Sequence, residues 1–187
     1  MTPVPDRQTR TRISTPVGVV VRRTPGVTRW AAWSWRPVAI LAGAGPAEWK
    51  VLREEGGVTD YHAATVPLTL HRGETAAYRV ALSEPQPSVY AVLRPAKGEI
   101  PWSVHLVTAS PHEAALFAQS GEEIVEKLTM PPALAAWVGA WVAEHHVDTP
   151  FVKRKRRGIE DEATEAPRAP RPDDPWQPPT GRQGGTA

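Results

Sequence analysis

Cysteine is absent from the 187 residues. That excludes disulfides, thiolate metal sites and chemistry at a cysteine nucleophile. No apolar run approaches the ~18–20 residues that a membrane-spanning helix needs. Residues Met1 to Arg12 are polar and carry Arg7, Arg10 and Arg12, with no apolar segment behind them, so a secretory leader is not expected and a cytoplasmic protein is. Net charge is only +2, and it is uneven. The N-terminal arm is basic, the body from Ile13 to Pro150 is mildly acidic, and Lys153 to Arg157 is a dense basic block followed by Glu160, Asp161 and Glu162. The sequence pI of 9.1 therefore reflects short segments, which weakens a reading of the whole chain as a nucleic-acid binder.

What is abundant is tryptophan and proline. Trp30, Trp33 and Trp35 fall within six residues of one another in the stretch Trp30 to Leu41. Tryptophan and β-branched residues fit a pleated, half-buried surface, so this stretch is expected to be a long, mostly buried strand. Alternation sends Trp33 and Trp35 to one face and Val38 and Ile40 to the other. Pro37 lies between the two sets, and a proline that cannot donate to a ladder marks a bulge there. Such a bulge accounts for the switch of apolar face. Later strands and a Trp-bearing helix near residue 140 are the expected cover.

Along the chain, residues 1–12 lack any apolar period and read as a disordered arm. Ile13 to Arg23 reads as a first strand, and Thr24-Pro25-Gly26 as the turn of a hairpin into the Trp-rich strand. Gly43 to Pro46 breaks that strand. Glu48 to Glu55 fits either a strand or a helical turn, and Gly56-Gly57 is a turn. Strands are expected over Tyr61 to Arg72, Ser88 to Arg94 and Trp102 to Thr108. Over Glu74 to Leu82 the alternation of Tyr78, Val80 and Leu82 favours a strand. Ser110-Pro111 then carries the N-cap serine and first-turn proline of a short helix ending near Gly121. Glu123 to Leu128 is a last short strand. Pro131-Pro132 opens the main helix, Ala133 to His146, which puts Leu134, Trp137, Val138, Trp141 and Val142 on one stripe. Residues 158–187 form a Pro-rich tail expected to be disordered. Strands first and helices last argue an α+β fold over residues 13–150. The expected architecture is a mainly antiparallel β meander, a sandwich or half-barrel, closed by the C-terminal helix.

Chemistry-bearing residues are sparse in pattern. Leu41 to Gly45 with Lys50 faintly resembles the phosphate loop and lysine of nucleotidyltransferases that load guanosine phosphate onto molybdopterin. Pro46 removes one of the N–H groups such a loop needs, the arginine and second glycine expected before the lysine are absent, and no βαβ pattern surrounds the loop, so an irregular loop is the expectation. His62, His71, His105, His112, His145 and His146 show no metal-ligand spacing. His145 and His146 diverge by about 100° around a helix. His145, four residues past Trp141, is expected at the wet end of the apolar stripe. No Gly-x-Ser-x-Gly elbow is present. No metal, cofactor or catalytic residue is expected.

The most specific local feature is Phe151-Val152-Lys153-Arg154-Lys155-Arg156-Arg157. Five clustered cations raise association rates with an acidic partner and are screened by salt. Phe151, Lys153, Arg154, Lys155, Arg156 and Arg157 are therefore the candidate partner-binding residues. The competing reading is a solvated charge run.

Several segments together resemble a known family. They are Pro16 to Val21, Trp30 to Val38, Asp60 to Ala64, Glu74 to Leu82, Thr108 to Pro111 and Phe151 to Arg156. The set is similar to an uncharacterised bacterial domain-of-unknown-function family whose genes sit beside those of molybdenum-dependent formate dehydrogenases. Its members are often labelled molybdopterin-guanine dinucleotide biosynthesis protein A. The resemblance implies a non-catalytic accessory protein in the maturation or assembly of a formate dehydrogenase or its molybdopterin cofactor. The implied partner is a formate dehydrogenase subunit or a maturation factor. The alternatives are a molybdopterin nucleotidyltransferase-type enzyme and an RNA- or phosphate-binding module built on the basic block.

Overall fold

A computed structural model describes residues 11–28 and 31–148. The chain divides into units at Asp148, and residues 149–187 make the second. The described residues form seven strands and three helices. The strands are β1 (Arg12–Thr28), β2 (Ala31–Ala42), β3 (Glu48–Glu55), β4 (Val58–His71), β5 (Ser88–Pro95), β6 (Trp102–Thr108) and β7 (Ile124–Thr129). The helices are α1 (Thr75–Ser83), α2 (Pro111–Ala118) and α3 (Pro132–His145). No helix among the described residues is long and apolar enough to cross a membrane.

The strands form one mainly antiparallel sheet in the order β2-β1-β4-β6-β5-β7, curled into a half-barrel. Only the β4–β6 pair is parallel, touching at Leu68 and Val107. The outer edge of β4 is shared: β3 pairs with residues Val58 to Ala64, and β6 joins at Leu68. Pro67 sits at this fork, where a missing donor costs no ladder bond.

The curl has a local cause. Beside Val19 to Val21 of β1, the register slips at Val38 in β2 and at Ala63 in β4. One extra residue in each neighbour, at the same level, bends both strands and increases their twist. The bulge at Val38 also settles which residues of β2 face inward. Trp33, Trp35 and Pro37 pair with Pro25, Arg23 and Val21, and past the slip Ile40 pairs with Val19. The expected bulge is present, and its effect is to keep the apolar side chains on one face.

That inner face carries Val17, Val19 and Val21, all fully buried, with Leu68, Leu70, Val89 and Leu93. Helix α3 lies over it through Leu134, Val138, Trp141 and Val142, the expected stripe. Trp137 is only partly buried beside it.

Four expectations are corrected. First, the Trp-rich strand is not mostly buried: Ala31 to Ser34 are exposed, Trp33 at 43%. Trp30 lies outside the described residues. Second, Thr24 to Gly26 is not the hairpin turn. Strand β1 runs on to Thr28, which pairs with Ala31. Pro25 sits opposite Trp33, and Gly26 passes so close to the Ala31 carbonyl that a Cβ there would stand 1.7 Å from its oxygen. The Pro-Gly pair therefore serves a second register slip inside the ladder.

Third, Glu74 to Leu82 is helical: a 3-10 turn, Arg72–Glu74, leads into α1. Thr75, Ala77, Tyr78 and Ala81 are its buried residues, Thr75, Tyr78 and Ala81 at helical spacing, while Val80 of the expected alternation is 53% exposed. Fourth, His145 is not at a wet end. It is 6% exposed, its ring 3.9 Å from that of Trp141, near the end of α3 that α1 flanks.

Other boundaries agree closely with the sequence. The ambiguous Glu48 to Glu55 segment is strand β3, and Gly56 and Gly57 close its hairpin with φ of +58° and +80°. Two consecutive left-handed residues are what a two-residue hairpin loop needs, and glycine adopts them without strain. Ser110 caps α2, its Oγ accepting from the Glu113 N–H at 3.3 Å.

Candidate functional site

The inner face continues past the core into an aromatic platform. Row by row across β2, β1, β4 and β3, Pro37 aligns with Val21, Tyr61 and Val51, and Trp35 with Arg23, Thr59 and Glu54. Trp33, opposite Pro25, ends the series. Trp49 of β3 completes the cluster. The rings of Trp35, Trp49 and Tyr61 lie 5.7–5.9 Å apart, two of the three contacts edge-on, the geometry that ring quadrupoles favour.

The Arg23 guanidinium lies over the Trp33 ring at 4.4 Å, with Tyr61 at 5.6 Å and Trp35 at 5.9 Å. It donates to Thr59 Oγ1 at 3.1 Å, while its buried Nε finds no acceptor among the described residues. The cluster thus fixes a cation among π faces. Trp49 has φ of +46°, a conformation a bulky residue adopts only when its surroundings impose it. Val51 of β3, paired with Tyr61 and 52% exposed, extends the apolar surface beside it.

Two of the histidines, His62 and His146, are tied into structural bonds. His62 Nε2 lies 2.9 Å from Thr65 Oγ1, and that hydroxyl donates to the Gly45 carbonyl at 2.6 Å. With its proton spent there, Thr65 accepts from His62, so Nε2 carries the hydrogen. The Gly45 loop runs from strand to strand and gives that carbonyl to Thr65, which is not a phosphate cradle.

His146 faces Thr75 Oγ1 through Nδ1 at 3.0 Å and Asp148 through Nε2 at 3.1 Å. This resembles a Thr-His-Asp relay. However, Arg79 Nη1 points at the same Nε2 and at Asp148. A neutral His146 accepts from Arg79 at Nε2 and so donates from Nδ1 to Thr75, the wrong direction for activating a hydroxyl. The cluster clasps the end of α3 to α1 and holds the Asp148 carboxyl below its usual range, chiefly through the Arg79 bond. No group of three or more His, Asp or Glu among the described residues could hold a metal ion.

The family of unknown function designated DUF3305 has a model matching residues 16–155. The chain belongs to that family. No curated protein and no solved structure matches it. All the platform residues lie inside the DUF3305 match, which ends at Lys155. The match thus takes in Phe151, Lys153, Arg154 and Lys155 and stops short of Arg156 and Arg157. All six of these candidate partner-binding residues lie outside the described residues.

The platform is not apparent from sequence, because the alternation of Trp33 and Trp35 reads as that of a mostly buried strand. One signal was present: Arg23 stands opposite Trp35 in any hairpin register that pairs Val21 with Pro37. An arginine facing a tryptophan is not a core pair.

Proposed function

We propose that this DUF3305 protein is a non-catalytic accessory protein that holds a protein partner on the platform of Trp33, Arg23, Trp35, Trp49 and Tyr61. We further propose that the partner is a formate dehydrogenase subunit, or a factor maturing its molybdopterin cofactor. The observation that carries the binding reading is Trp33: a large ring 43% exposed, backed by a guanidinium and a set of ordered aromatics. Protein interfaces concentrate their binding energy in a few Trp, Tyr and Arg side chains on pre-ordered surfaces, and this is such a set. The identity of the partner is supported by the sequence resemblance, with its gene neighbourhood beside formate dehydrogenases. The basic block, Lys153 to Arg157, would act with the platform by speeding encounter with an acidic partner.

The test is capture of formate dehydrogenase subunits, identified by mass spectrometry, on the full-length protein. Trp33→Ala is expected to keep the fold, since the ring sits at the sheet's end. A hot-spot loss of about 2 kcal/mol or more would cut affinity about thirtyfold. Replacing all five basic residues with Ser should slow capture and remove its salt dependence. Undiminished capture by Trp33→Ala, with the fold intact, would refute the platform. Capture of no formate dehydrogenase component by the parent protein would refute the partner.

A further inference from the structure

The opposite, outer face of the same strands carries a different feature. Where β2 approaches β7 across the open side of the half-barrel, a groove of about 510 Å³ runs between them. Its polar lining is Arg22, Arg36, Lys127, Thr24, Ser34 and Thr129, over a floor that includes Val38 and Leu128. The register explains the grouping. Arg22 pairs directly with Arg36 across β1 and β2, and two residues on, Thr24 pairs with Ser34. Lys127 and Thr129, two apart on β7, repeat the cation and hydroxyl on the facing wall.

Like charges directly opposite each other on a sheet are destabilising. Here each cation is held by a carboxylate outside the groove. Arg22 donates two parallel hydrogen bonds to Asp60, from Nε to Oδ1 at 2.7 Å and from Nη2 to Oδ2 at 2.9 Å. Arg36 reaches Glu126 at 2.9 Å across the seam, and Lys127 reaches Glu84 at 2.7 Å. None of these carboxylates lines the groove, and no carboxylate is among the described residues that do. The anions thus orient three cations without filling the space between them. Arg36 is 68% exposed and Lys127 51%, so both remain open to a ligand.

We propose that this groove binds a small phosphorylated ligand. With Nε and Nη2 of both arginines turned to carboxylates, their Nη1 ends offer the remaining N–H donors to phosphate oxygens, the ammonium adds a point charge, and hydroxyls donate to remaining oxygens. A groove of this volume lies within the range of small-molecule sites, and its cationic wall suits a phosphate ester or diphosphate of nucleotide size or less. The site is independent of the Trp33 platform, which lies on the other face.

The test is isothermal titration of the full chain with inorganic pyrophosphate and with ribose 5-phosphate, with a short single-stranded RNA in a parallel arm. Saturable one-site binding of pyrophosphate, weakening with salt, is expected. Arg36→Gln and Lys127→Gln should each weaken it at least tenfold. Lys97→Gln, a surface cation on the β5–β6 loop, should leave it unchanged, as should replacing Lys153 to Arg157 with Ser. Thermal melts check the fold of each variant, and Lys127→Gln decides alone if Arg36→Gln unfolds. No binding at millimolar pyrophosphate, or binding that survives both groove variants, overturns the proposal. So does binding lost with the basic block. RNA that binds more tightly than pyrophosphate at equal salt would make the ligand a nucleic-acid backbone and also overturn it.

Discussion

Truncating Trp141 to alanine tests whether α3 is the lid of the core. The side chain is 5% exposed and lies in one cluster with Val138, Leu134 and the inner face of the sheet. A buried tryptophan removes roughly 150–250 Å² from water, about 4–6 kcal/mol at ~25 cal/mol/Å² as an upper bound. Measured aromatic truncations cost about 3–5 kcal/mol. The lower half of that range is expected here, because Trp141 Nε1 and His145 Nε2 are both buried without partners among the described residues. Removing the indole removes one orphan donor and lets water reach the other ring. Unfolding entropy over the described residues is about 0.3 kcal/mol/K, so a loss of ~3–4 kcal/mol lowers Tm by roughly 10–13 °C. Thermal melts followed by circular dichroism at neutral pH measure this. Trp141→Phe, which keeps most of the ring and drops the orphan N–H, should lose less than half as much. If Trp141→Ala melts within about 2 °C of the parent, α3 does not close the core and the packing argument fails.

Three further outcomes follow from the same geometry. Gly18→Ala would place a Cβ 2.5 Å from His62 Nε2 and 2.9 Å from the Ala44 Cβ, so a loss of ~1–3 kcal/mol is expected. Urea midpoints of Gly18→Ala with and without His62→Ala should show the two losses to be less than additive; full additivity would remove His62 as the obstacle. The Arg22 bond holds the Asp60 carboxyl below its usual value, so the unfolded chain binds the proton more readily than the folded one. That stability is present above the unfolded pKa of about 3.9 and is lost as pH falls through the lower folded value. Asp60→Asn should therefore flatten the stability profile below about pH 4, by at most ~1 kcal/mol for so exposed a pair. An unaltered acid limb would show that other carboxylates set it. Ser110→Ala removes the cap of α2 and should cost ~1 kcal/mol in a denaturant titration; no loss would mean that Pro111 alone starts the helix.

The legible parts of the fold were those fixed by local chemistry. Ser110-Pro111 and Pro131-Pro132 start helices as their chemistry requires, Gly56-Gly57 closes a hairpin, and the stripe from Leu134 to Val142 faces the core. The sequence is ambiguous where two periods fit the same residues. Tyr78, Val80 and Leu82 alternate, yet Thr75, Tyr78 and Ala81 also share a helix face. Only tertiary packing, with the Tyr78 hydroxyl accepting from the His71 N–H and buried among neighbours, selects the helix. His145 is buried near the end of α3 that α1 flanks, and the alternation of Tyr78, Val80 and Leu82 conceals α1 as a helix. The groove was not legible at all. It depends on Arg22 facing Arg36 and on β7 arriving opposite, and residues 22 and 127 are brought together only by the closure of the sheet.

Both candidate sites depend on a single residue of register. Strand β1 presents Arg23 inward and Arg22 outward by ordinary alternation, and each meets the matching side of β2 only because β2 carries the extra Val38. A one-residue slip moves every side chain of a strand to the other face. Without the bulge, a ladder anchored at Ile40 and Val19 would turn Trp33 and Trp35 outward, to the groove, and bring Ser34 and Arg36 in over Tyr61. The aromatic platform and the cationic wall would both lose their components in one step. Proline at 37 guards against this. It lacks the donor that continuous pairing with β1 would use, and so favours the irregular register at that position. The bulge that lets the sheet curl is therefore the same feature that separates an apolar binding face from a cationic one.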